Sequence, residues 1–190
     1  MPQNLIVIFG PCAVGKMTVG RSLTALTGIP LFHNHMSIEP VLPFFTFGTP
    51  PFNRLVGGFR RRLFEEVAAS DLPGLIFTYV WALQLESEKQ EIDELTAIFE
   101  SRGASVGFVE LAADRAVRVD RNRSSERLEH KPSKRNVERS ERNLHDLDAN
   151  HVLNTSESMP FCYPDRHLRI DNSALAPADA AAMIQQRFGL

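Results

Sequence analysis

A continuous apolar run that leads directly into a glycine-containing turn is the feature that most constrains the fold. Residues 5–9 are all apolar, several are β-branched, and the run ends at Gly10. Such a run predicts a strand that is buried on both faces. Apolar residues then recur at helical spacing over 15–26, and Gly28 stands where a helix would end. A buried strand, a glycine turn and a helix in this order predict the beginning of an α/β fold.

The same alternation continues along all 190 residues. Strand patterns lie at 5–9, 29–32, 75–81, 106–111 and 167–170, and helical patterns at 15–26, 54–69, 85–102, from Asp114 into a basic segment, at 136–149 and at 177–188. Residues 40–52, with four prolines and four phenylalanines, predict a structured loop or a short helix. We therefore expect one domain, a three-layer α/β/α sandwich with a five-stranded parallel sheet. Ligands of such sheets bind at the carboxyl ends of the strands.

The first turn itself has the composition of a phosphate-binding loop. It matches the Walker A pattern G-x-x-x-x-G-K. In this pattern the glycines allow backbone N–H groups to turn inward, and the lysine can reach the β- and γ-phosphates. The alternative is an ordinary strand-to-helix turn with a solvated lysine. The predicted nucleotide-binding residues of this turn are Gly10, Cys12, Ala13, Val14, Gly15, Lys16, Met17 and Thr18.

Magnesium coordination is the unusual part of this pattern. Met17 stands where Ser or Thr is usual, and a thioether is a poor ligand for a hard cation. No aspartate ends the third predicted strand, where Thr78 is followed by Tyr, Val and Trp. Mg²⁺ is still expected with ATP, held through waters by Thr78, Glu110 or Glu39. We expect these changes to weaken phosphoryl transfer more than nucleotide binding.

The formal charge is distributed unevenly. A net charge of −2 argues against a protein that coats nucleic acid or an anionic membrane. Residues 114–142 nevertheless carry ten Lys or Arg against six acids, a local charge of +4, while the remainder carries −6. This basic segment is either a solvated charged face or a mobile lid that neutralises phosphate charge.

His33 and His35 are candidate catalytic residues. If the segment is extended, the two imidazoles alternate to the same side and face the acceptor. Either could act as a general base on an acceptor hydroxyl. The alternative is that they hydrogen-bond a neighbouring loop, and a zinc site is disfavoured because no paired Cys or acid accompanies them.

Residues 32–64 are rich in phenylalanine and arginine. Seven of the 13 Phe lie there, and the cluster at 44–52 would suit an apolar or aromatic ligand, while Arg54 and Arg60 to Arg62 could equally hold an anionic one. In the helix at 54–69, Leu55, Phe59, Leu63 and Val67 form the predicted buried stripe, with Arg60 to Arg62 mostly off it. The predicted substrate-binding residues are His35, Glu39, Phe44, Arg54 and Arg60.

Three segments together resemble the small P-loop kinases of the shikimate kinase and adenylate kinase type. They are the loop at 10–18, residues 32–39 with their His-Asn-His, and residues 119–135 with Val-Asp-Arg followed by His-Lys-Pro-Ser-Lys-Arg. The chain is also similar to bacterial predicted P-loop kinases that share Lys-Met-Thr and His-Asn-His. The resemblance implies a P-loop nucleoside triphosphate hydrolase fold, an acceptor-binding region at about 33–70 and a helical lid at about 121–136. It also implies that Arg121 contacts the nucleotide near its adenine base and that Arg127 and Arg135 close on the phosphates.

The sequence therefore predicts a kinase that transfers the γ-phosphoryl group of ATP to a hydroxyl of a small molecule. Its predicted catalytic residues are Lys16, His33, His35 and Arg127. The alternatives are a nucleoside or nucleotide kinase, and a nucleotide-binding regulatory protein with little transfer activity; resistance chemistry on an antibiotic is also open. Two cysteines cannot form a disulfide framework, and no leader or spanning segment is recognised, so we expect a cytoplasmic monomer or homodimer without nucleic-acid or membrane partners.

Overall fold

The sheet and its helices follow the predicted order. The computed structural model describes residues 3–190, with side chains described for all of these except Glu126 and Arg127. The strands are β1 (Asn4–Phe9), β2 (Leu31–His33), β3 (Gly74–Tyr79), β4 (Ser105–Ala112) and β5 (His167–Asp171). The helices are α1 (Lys16–Thr27), α2 (His35–Ile38), α3 (Pro50–Ala68), α4 (Glu86–Glu100), α5 (Arg115–Asn122), α6 (Ser125–His130), α7 (Val137–Asn150) and α8 (Pro177–Phe188), with 3₁₀ turns at Pro132–Lys134 and Pro164–Arg166.

The five strands form one parallel sheet in the order β2-β3-β1-β4-β5. The central strand β1 pairs with β3 and β4, so that Val7 lies beside Phe77 on one side and Phe108 on the other. The prediction of an α/β fold with a five-stranded parallel sheet is confirmed. Because all strands run the same way, their carboxyl ends meet at one edge, where the phosphate loop leaves β1.

The two faces of the sheet are covered by different helices. Alternate residues of β1 point to opposite faces. Ile6 and Ile8 belong to a buried cluster with residues of α1 and α8, such as Leu23 and Ile184. Leu5, Val7 and Phe9 belong to a second buried cluster with α3 and α4, which includes Phe64 and Phe99. This is the three-layer arrangement that the alternation of elements predicts.

The buried stripe of α3 differs from the prediction. The helix begins at Pro50, four residues earlier than expected, because proline suits the first turn of a helix. Phe52, Val56, Arg60, Phe64 and Val67 are buried, whereas Leu55 and Phe59 are 50% and 51% exposed. The prediction was therefore wrong for Leu55, Phe59 and Arg60. A search for apolar residues at helical spacing does not find a buried stripe that contains an arginine.

The segment around the two histidines is not extended. His33 is the last residue of β2, and the chain turns at Asn34 into the short helix α2, which begins at His35. The predicted alternation of the two imidazoles to one side is wrong for this reason. The two side chains consequently have different surroundings.

No helix in the described part of the chain is long and apolar enough to cross a lipid bilayer.

Candidate phosphate-loop and acceptor site

A cavity of about 320 Å³ lies at the carboxyl edge of the sheet. Five segments contribute to its wall: the phosphate loop, the turn into α2, the end of β3, the lid and the loop before α8. The lining residues are Cys12, Ala13, Val14, Gly15, Lys16, Met17, Thr18, Val19, Asn34, His35, Thr78, Val80, Arg121, Ser124, Lys131, Asn172, Leu175 and Pro177. A larger and more open depression of about 470 Å³ lies between α5 and α7, but no phosphate-loop residue contributes to it. The smaller cavity is therefore the candidate site.

The glycines of the phosphate loop are required by the backbone. Gly10 has a φ of 134°, and a Cβ there would lie 2.3 Å from the carbonyl oxygen of Leu111 in the adjacent strand. Gly15 has a φ of 107° immediately before the first turn of α1. Both conformations are unfavourable for residues with a side chain. The loop thereby brings the N-terminus of a 12-residue helix to the cavity, where its free N–H groups favour an anion.

Lys16 lies across the loop. Its ammonium group donates to the carbonyl oxygens of Gly10 at 2.6 Å and Pro11 at 2.7 Å. Lys16 also lines the cavity. A flexible ammonium group in this position can turn from loop carbonyls to phosphate oxygens.

Arg118 binds the phosphate loop through a backbone carbonyl group. Its side chain is 6% exposed, and it pairs with Asp148 of α7 through contacts of 3.0 Å and 2.5 Å. The same guanidinium donates to the carbonyl oxygen of Cys12 at 3.3 Å. The helical spacing of the charges on α5 placed Arg118 in the basic segment but gave no sign that Asp148, 30 residues away, would be its partner.

Arg121 and Asn172 bind the same loop two residues further along, at the carbonyl group of Val14. Val14 O accepts from Arg121 Nη1 at 3.1 Å and from Asn172 Nδ2 at 2.9 Å. Arg121 Nη2 also donates to Asn172 O at 2.8 Å. These contacts use the carbonyl groups of the loop and leave its N–H groups for a ligand. Arg121 lines the cavity, as do Leu175 of the loop before α8 and Pro177 at the start of α8.

The cavity wall offers few side chains that could bind a metal ion. Met17 and Thr78 line it, and they are only 6% and 3% exposed. Thr78 Oγ1 accepts from the N–H of Asn34 at 3.2 Å. Among the described lining residues there is no aspartate or glutamate, and no group of three potential metal-ligating side chains occurs in the described part of the chain.

Glu110 is used inside the protein rather than in the cavity. It is fully buried, and Oε1 accepts from Asn154 Nδ2 at 2.9 Å and Thr155 N at 2.8 Å. Oε2 accepts from Thr155 Oγ1 at 2.7 Å and lies 3.0 Å from His167 Nε2. Burial by itself raises the pKa of Glu110, but the contacts with His167, Thr155 and Asn154 outweigh it and lower the pKa to about 2. The suggestion that Glu110 holds Mg²⁺ is corrected: its two oxygens are already partnered.

His35 lines the cavity and forms a closely bonded pair with Glu39. Its Nδ1 lies 2.7 Å from Glu39 Oε1, one helical turn away. Burial lowers the pKa of His35, and although the hydrogen bond to Glu39 opposes this, the pKa falls to about 4. Burial raises the pKa of Glu39, but hydrogen bonds from His35 and Ser133 prevail and lower it to about 2. At neutral pH the pair is therefore a neutral imidazole and a carboxylate, which assigns the proton to Nδ1 and the lone pair to Nε2.

His33 is separate from this pair. It is not among the residues that line the cavity. Its Nδ1 is buried without a hydrogen-bond partner among the described atoms. Burial and the nearby charge of Lys131 lower its pKa to about 4. A catalytic role for His33 stays a prediction, while His35 has the geometry for one.

Arg60, a predicted acceptor ligand, is engaged by protein groups. Its Nη1 pairs with Glu91 Oε1 at 2.8 Å, its Nε donates to Ser37 Oγ at 3.1 Å, and its Nη2 donates to Asn34 Oδ1. The guanidinium also lies over the Tyr79 ring, 5.4 Å from its centroid. Arg60 thus positions the turn that carries Asn34 into the cavity, a role that charge patterning did not predict.

Exposed apolar side chains distinguish the rest of the acceptor region. Among the described residues nine large apolar side chains are exposed, and six of them lie between residues 36 and 59. We call this group the aromatic face; its members are Met36, Phe44, Phe45, Phe47, Leu55 and Phe59. Phe44 is 78% exposed, and neither it nor the exposed Arg54 contributes to the cavity wall. Their roles as acceptor ligands stay predictions.

The predicted lid, at about 121–136, brings one expected and one unexpected basic residue to the cavity. Lys131 lines the cavity together with Arg121. Arg135 donates from Nε to Leu128 O at 3.2 Å, a contact within the lid itself. The side chain of the predicted catalytic residue Arg127 lies outside the described part of the structure. No sequence signal distinguished Lys131 from the other basic residues of this segment.

Comparison with known proteins rests on structure. No family model and no curated protein sequence matches the chain. A candidate kinase from Chloroflexus aurantiacus matches it with a TM-score of 0.65 at 16% identity, over 98% of this chain and 99% of that one. The chain has the P-loop kinase fold.

Two other structures with this fold are described by different functions. The APS kinase of Mycobacterium tuberculosis, solved with AMPPNP and APS, has a TM-score of 0.58 at 12% identity, over 100% of this chain and 99% of that one. The tunicamycin resistance protein of Deinococcus radiodurans has a TM-score of 0.56 at 22% identity, over 99% of this chain and 96% of that one. Identities this low show the fold alone, so the chemistry has to be argued from the residues of this chain.

Proposed function

We propose that the protein is an ATP-dependent phosphotransferase that acts on a hydroxyl group of a small molecule. The observation that carries the proposal is that one cavity joins a phosphate-binding loop to a neutral, carboxylate-oriented imidazole. Phosphoryl transfer requires a clamped donor and an oriented acceptor at one site. The candidate residues for these two tasks meet here.

The donor side is built for a triphosphate. The N–H groups of residues 13–18 and the N-terminus of α1 would hold the phosphate oxygens. Lys16 would leave the carbonyl groups of Gly10 and Pro11 and bind the transferring phosphoryl group. Arg121 and Lys131 add positive charge to the same wall, which stabilises charge that spreads over the phosphoryl oxygens in the transition state.

The acceptor side is built around His35. Its Nε2 would take the proton of the acceptor hydroxyl as that oxygen bonds to the γ-phosphorus and the bond from phosphorus to the β,γ-bridging oxygen breaks. A base with a pKa of about 4 is weak. Phosphoryl transfer tolerates a weak base because its transition state is loose, and protein kinases use an aspartate for this step.

Mg²⁺ fits the cavity with water and phosphate oxygens as most of its ligands, as is usual for this ion. Thr78 and Thr18 are the hydroxyl-bearing residues that would face it, and the ion would supply neutralisation of the phosphate charge. We expect Met17→Thr to strengthen the Mg²⁺ dependence of ATP binding, because a hydroxyl replaces a thioether at the position next to the phosphates. Titration calorimetry with and without Mg²⁺ measures this, and an unchanged dependence would remove Met17 from the metal argument.

A second candidate is a regulatory protein that binds nucleotide and transfers little. It is favoured by Met17 and by the lack of an acidic side chain in the described cavity wall. Both features weaken metal-assisted transfer more than they weaken binding of the nucleotide.

The test combines binding with transfer. ATP and AMPPNP affinities are measured by calorimetry, and ADP formation is followed with a panel of sugars, sugar acids, nucleosides, nucleotides and hydroxylated antibiotics. Acceptor-dependent ADP formation with a matching phosphorylated product supports the kinase, and the class of acceptor separates a sugar or antibiotic kinase from a nucleoside or nucleotide kinase. Tight ATP binding with no transfer to any of these would favour the regulatory candidate, and absent ATP binding would overturn both.

A further inference from the structure

A chain of short contacts joins the predicted acceptor base to the lid. Glu39 Oε1 lies 2.7 Å from His35 Nδ1 and accepts from Ser133 Oγ at 2.6 Å. Glu39 Oε2 accepts from the backbone N–H of Ser133 at 3.1 Å. Glu39, which directly follows α2, and Ser133, in the 3₁₀ turn Pro132–Lys134, lie 94 positions apart in the chain. One carboxylate therefore holds both the imidazole and the lid.

These contacts leave Glu39 little capacity for an acceptor molecule. A carboxylate offers about four lone-pair sites, and three of them are used by His35 and Ser133. The carboxyl group is also only 20% exposed. A role as a substrate ligand is thus less consistent with the geometry than a role within the protein.

The electrostatic surroundings keep the pair in one protonation state. His33 of β2 and Lys131 and Lys134 of the lid are the other titratable or charged groups that act on His35. Burial is the main reason that the pKa of His35 is lowered, and the two lysines add to it, so His35 is neutral while Glu39 is ionised. In a neutral imidazole the position of the single proton is set by the acceptor next to it, and that acceptor is Glu39.

We propose that Glu39 is a positioning residue that couples closure of the lid to the orientation of the acceptor base. When Ser133 binds Glu39, the carboxylate is fixed and holds the proton on His35 Nδ1, which directs the Nε2 lone pair to the cavity. When the lid lifts, Glu39 loses Ser133 and the imidazole is no longer held. The inference builds on the proposed function, and it predicts that proton acceptance is organised only when the lid excludes water.

Two substitutions separate the parts of this coupling. Glu39→Gln keeps one oxygen that can accept from His35 Nδ1 and Ser133 Oγ but loses the acceptor for the Ser133 N–H, whereas Glu39→Leu removes all three contacts at similar size. Glu129→Leu makes the same chemical change at an exposed glutamate of the lid and is the matched control. Thermal unfolding confirms that each variant is folded.

The first measurement does not depend on activity. Nitrogen-15 NMR of the histidine side chains, with AMPPNP bound, reports which ring nitrogen of His35 carries the proton. We expect a single Nδ1-protonated form in the unchanged protein, in Glu39→Gln and in Glu129→Leu, and a mixture of tautomers in Glu39→Leu. Hydrogen exchange of residues 128–136 should be faster in Glu39→Leu than in the unchanged protein and in Glu129→Leu. An unchanged tautomer and unchanged exchange in Glu39→Leu would overturn the proposal.

The second measurement uses whichever acceptor the transfer panel identifies. A positioning role predicts that Glu39→Leu lowers kcat on the order of 10²-fold with little change in the KM for the acceptor, and that Glu39→Gln restores most of it. A raised KM with unchanged kcat would instead make Glu39 a substrate ligand. If no acceptor is phosphorylated, the proposed function fails while the NMR and exchange results still decide the role of Glu39.

Discussion

The phosphate-loop wall of the cavity and the aromatic face, which lies outside the cavity wall, are built in different ways. The phosphate loop is held by backbone-directed contacts, since Arg118, Arg121 and Asn172 all bind its carbonyl groups. The acceptor region instead leaves the aromatic face exposed to solvent. A phosphate is the same in every ATP-dependent enzyme and can be recognised by a fixed backbone, whereas an acceptor needs side chains that vary. Under the proposed function, this difference means that donor binding is preorganised by the loop, whereas acceptor specificity depends on exposed side chains.

The largest expected effect comes from removing the support of the phosphate loop. Arg118→Met leaves Asp148 without its partner and Cys12 O without its donor. Loss of one member of a largely buried ion pair should lower the free energy of unfolding by about 3 kcal/mol and weaken ATP binding. Urea unfolding and calorimetry measure the two effects. Arg115→Met, at an exposed arginine of the same helix, is the control; equal effects of both changes would contradict the role of Arg118 in supporting the loop.

Lys16→Met tests the donor wall directly. The variant keeps an unbranched side chain but loses the cation that would stabilise the transferring phosphoryl group. We expect kcat/KM for transfer to fall on the order of 10²- to 10³-fold, as for the loss of one preorganised electrostatic donor. The control is Lys89→Met, at a surface lysine of α4 that pairs with Asp93. Retention of full activity in Lys16→Met would contradict the role of the Lys16 cation at the phosphate loop.

Acid stability tests the strand behind the phosphate loop. The ordinary pKa of Glu110 is 4.5; burial raises it, but hydrogen bonds from His167 and Thr155 lower it to about 2. The unfolded chain therefore binds this proton more readily than the folded chain, so the unfolding free energy should fall as the pH drops from 4.5 towards 2. Glu110→Gln removes this titration and should give a flatter curve in that window, measured by urea unfolding at several pH values. Glu39 titrates in the same direction in both proteins, so parallel curves would count against Glu110.

The smallest effect on stability is expected at the aromatic face. Phe44→Ser together with Phe47→Ser removes two side chains that are 78% and 66% exposed, so the unfolding free energy should change by about 0.5 kcal/mol or less. If these rings contact an apolar part of the acceptor, the KM for the acceptor rises while the affinity for ATP is unchanged. Leu26→Ser, on α1 and 49% exposed, is the control. An unchanged KM would separate the aromatic face from acceptor binding.

Local sequence was sufficient wherever neighbouring residues decide the structure. The five strands, the glycines at positions 10 and 15 and the placement of Lys16 could all be predicted, because each depends on hydrophobic periodicity or on backbone geometry within a few residues. The extended segment at the histidines was predicted wrongly, since nothing local signals that the chain turns at Asn34. Arg60 was missed in the buried stripe of α3, because its burial depends on Glu91, 31 residues away.

The amino-acid sequence by itself determined the parallel sheet and the phosphate loop of this protein. Only the tertiary structure decided that His35 rather than His33 lines the cavity, that Glu110 is occupied by Asn154, Thr155 and His167, and that Glu39 joins His35 to Ser133. The physical reason is the range of the interactions. Strand patterns and glycine turns are set by adjacent residues, whereas the partner of a buried charge is fixed by packing between elements that are distant in the chain.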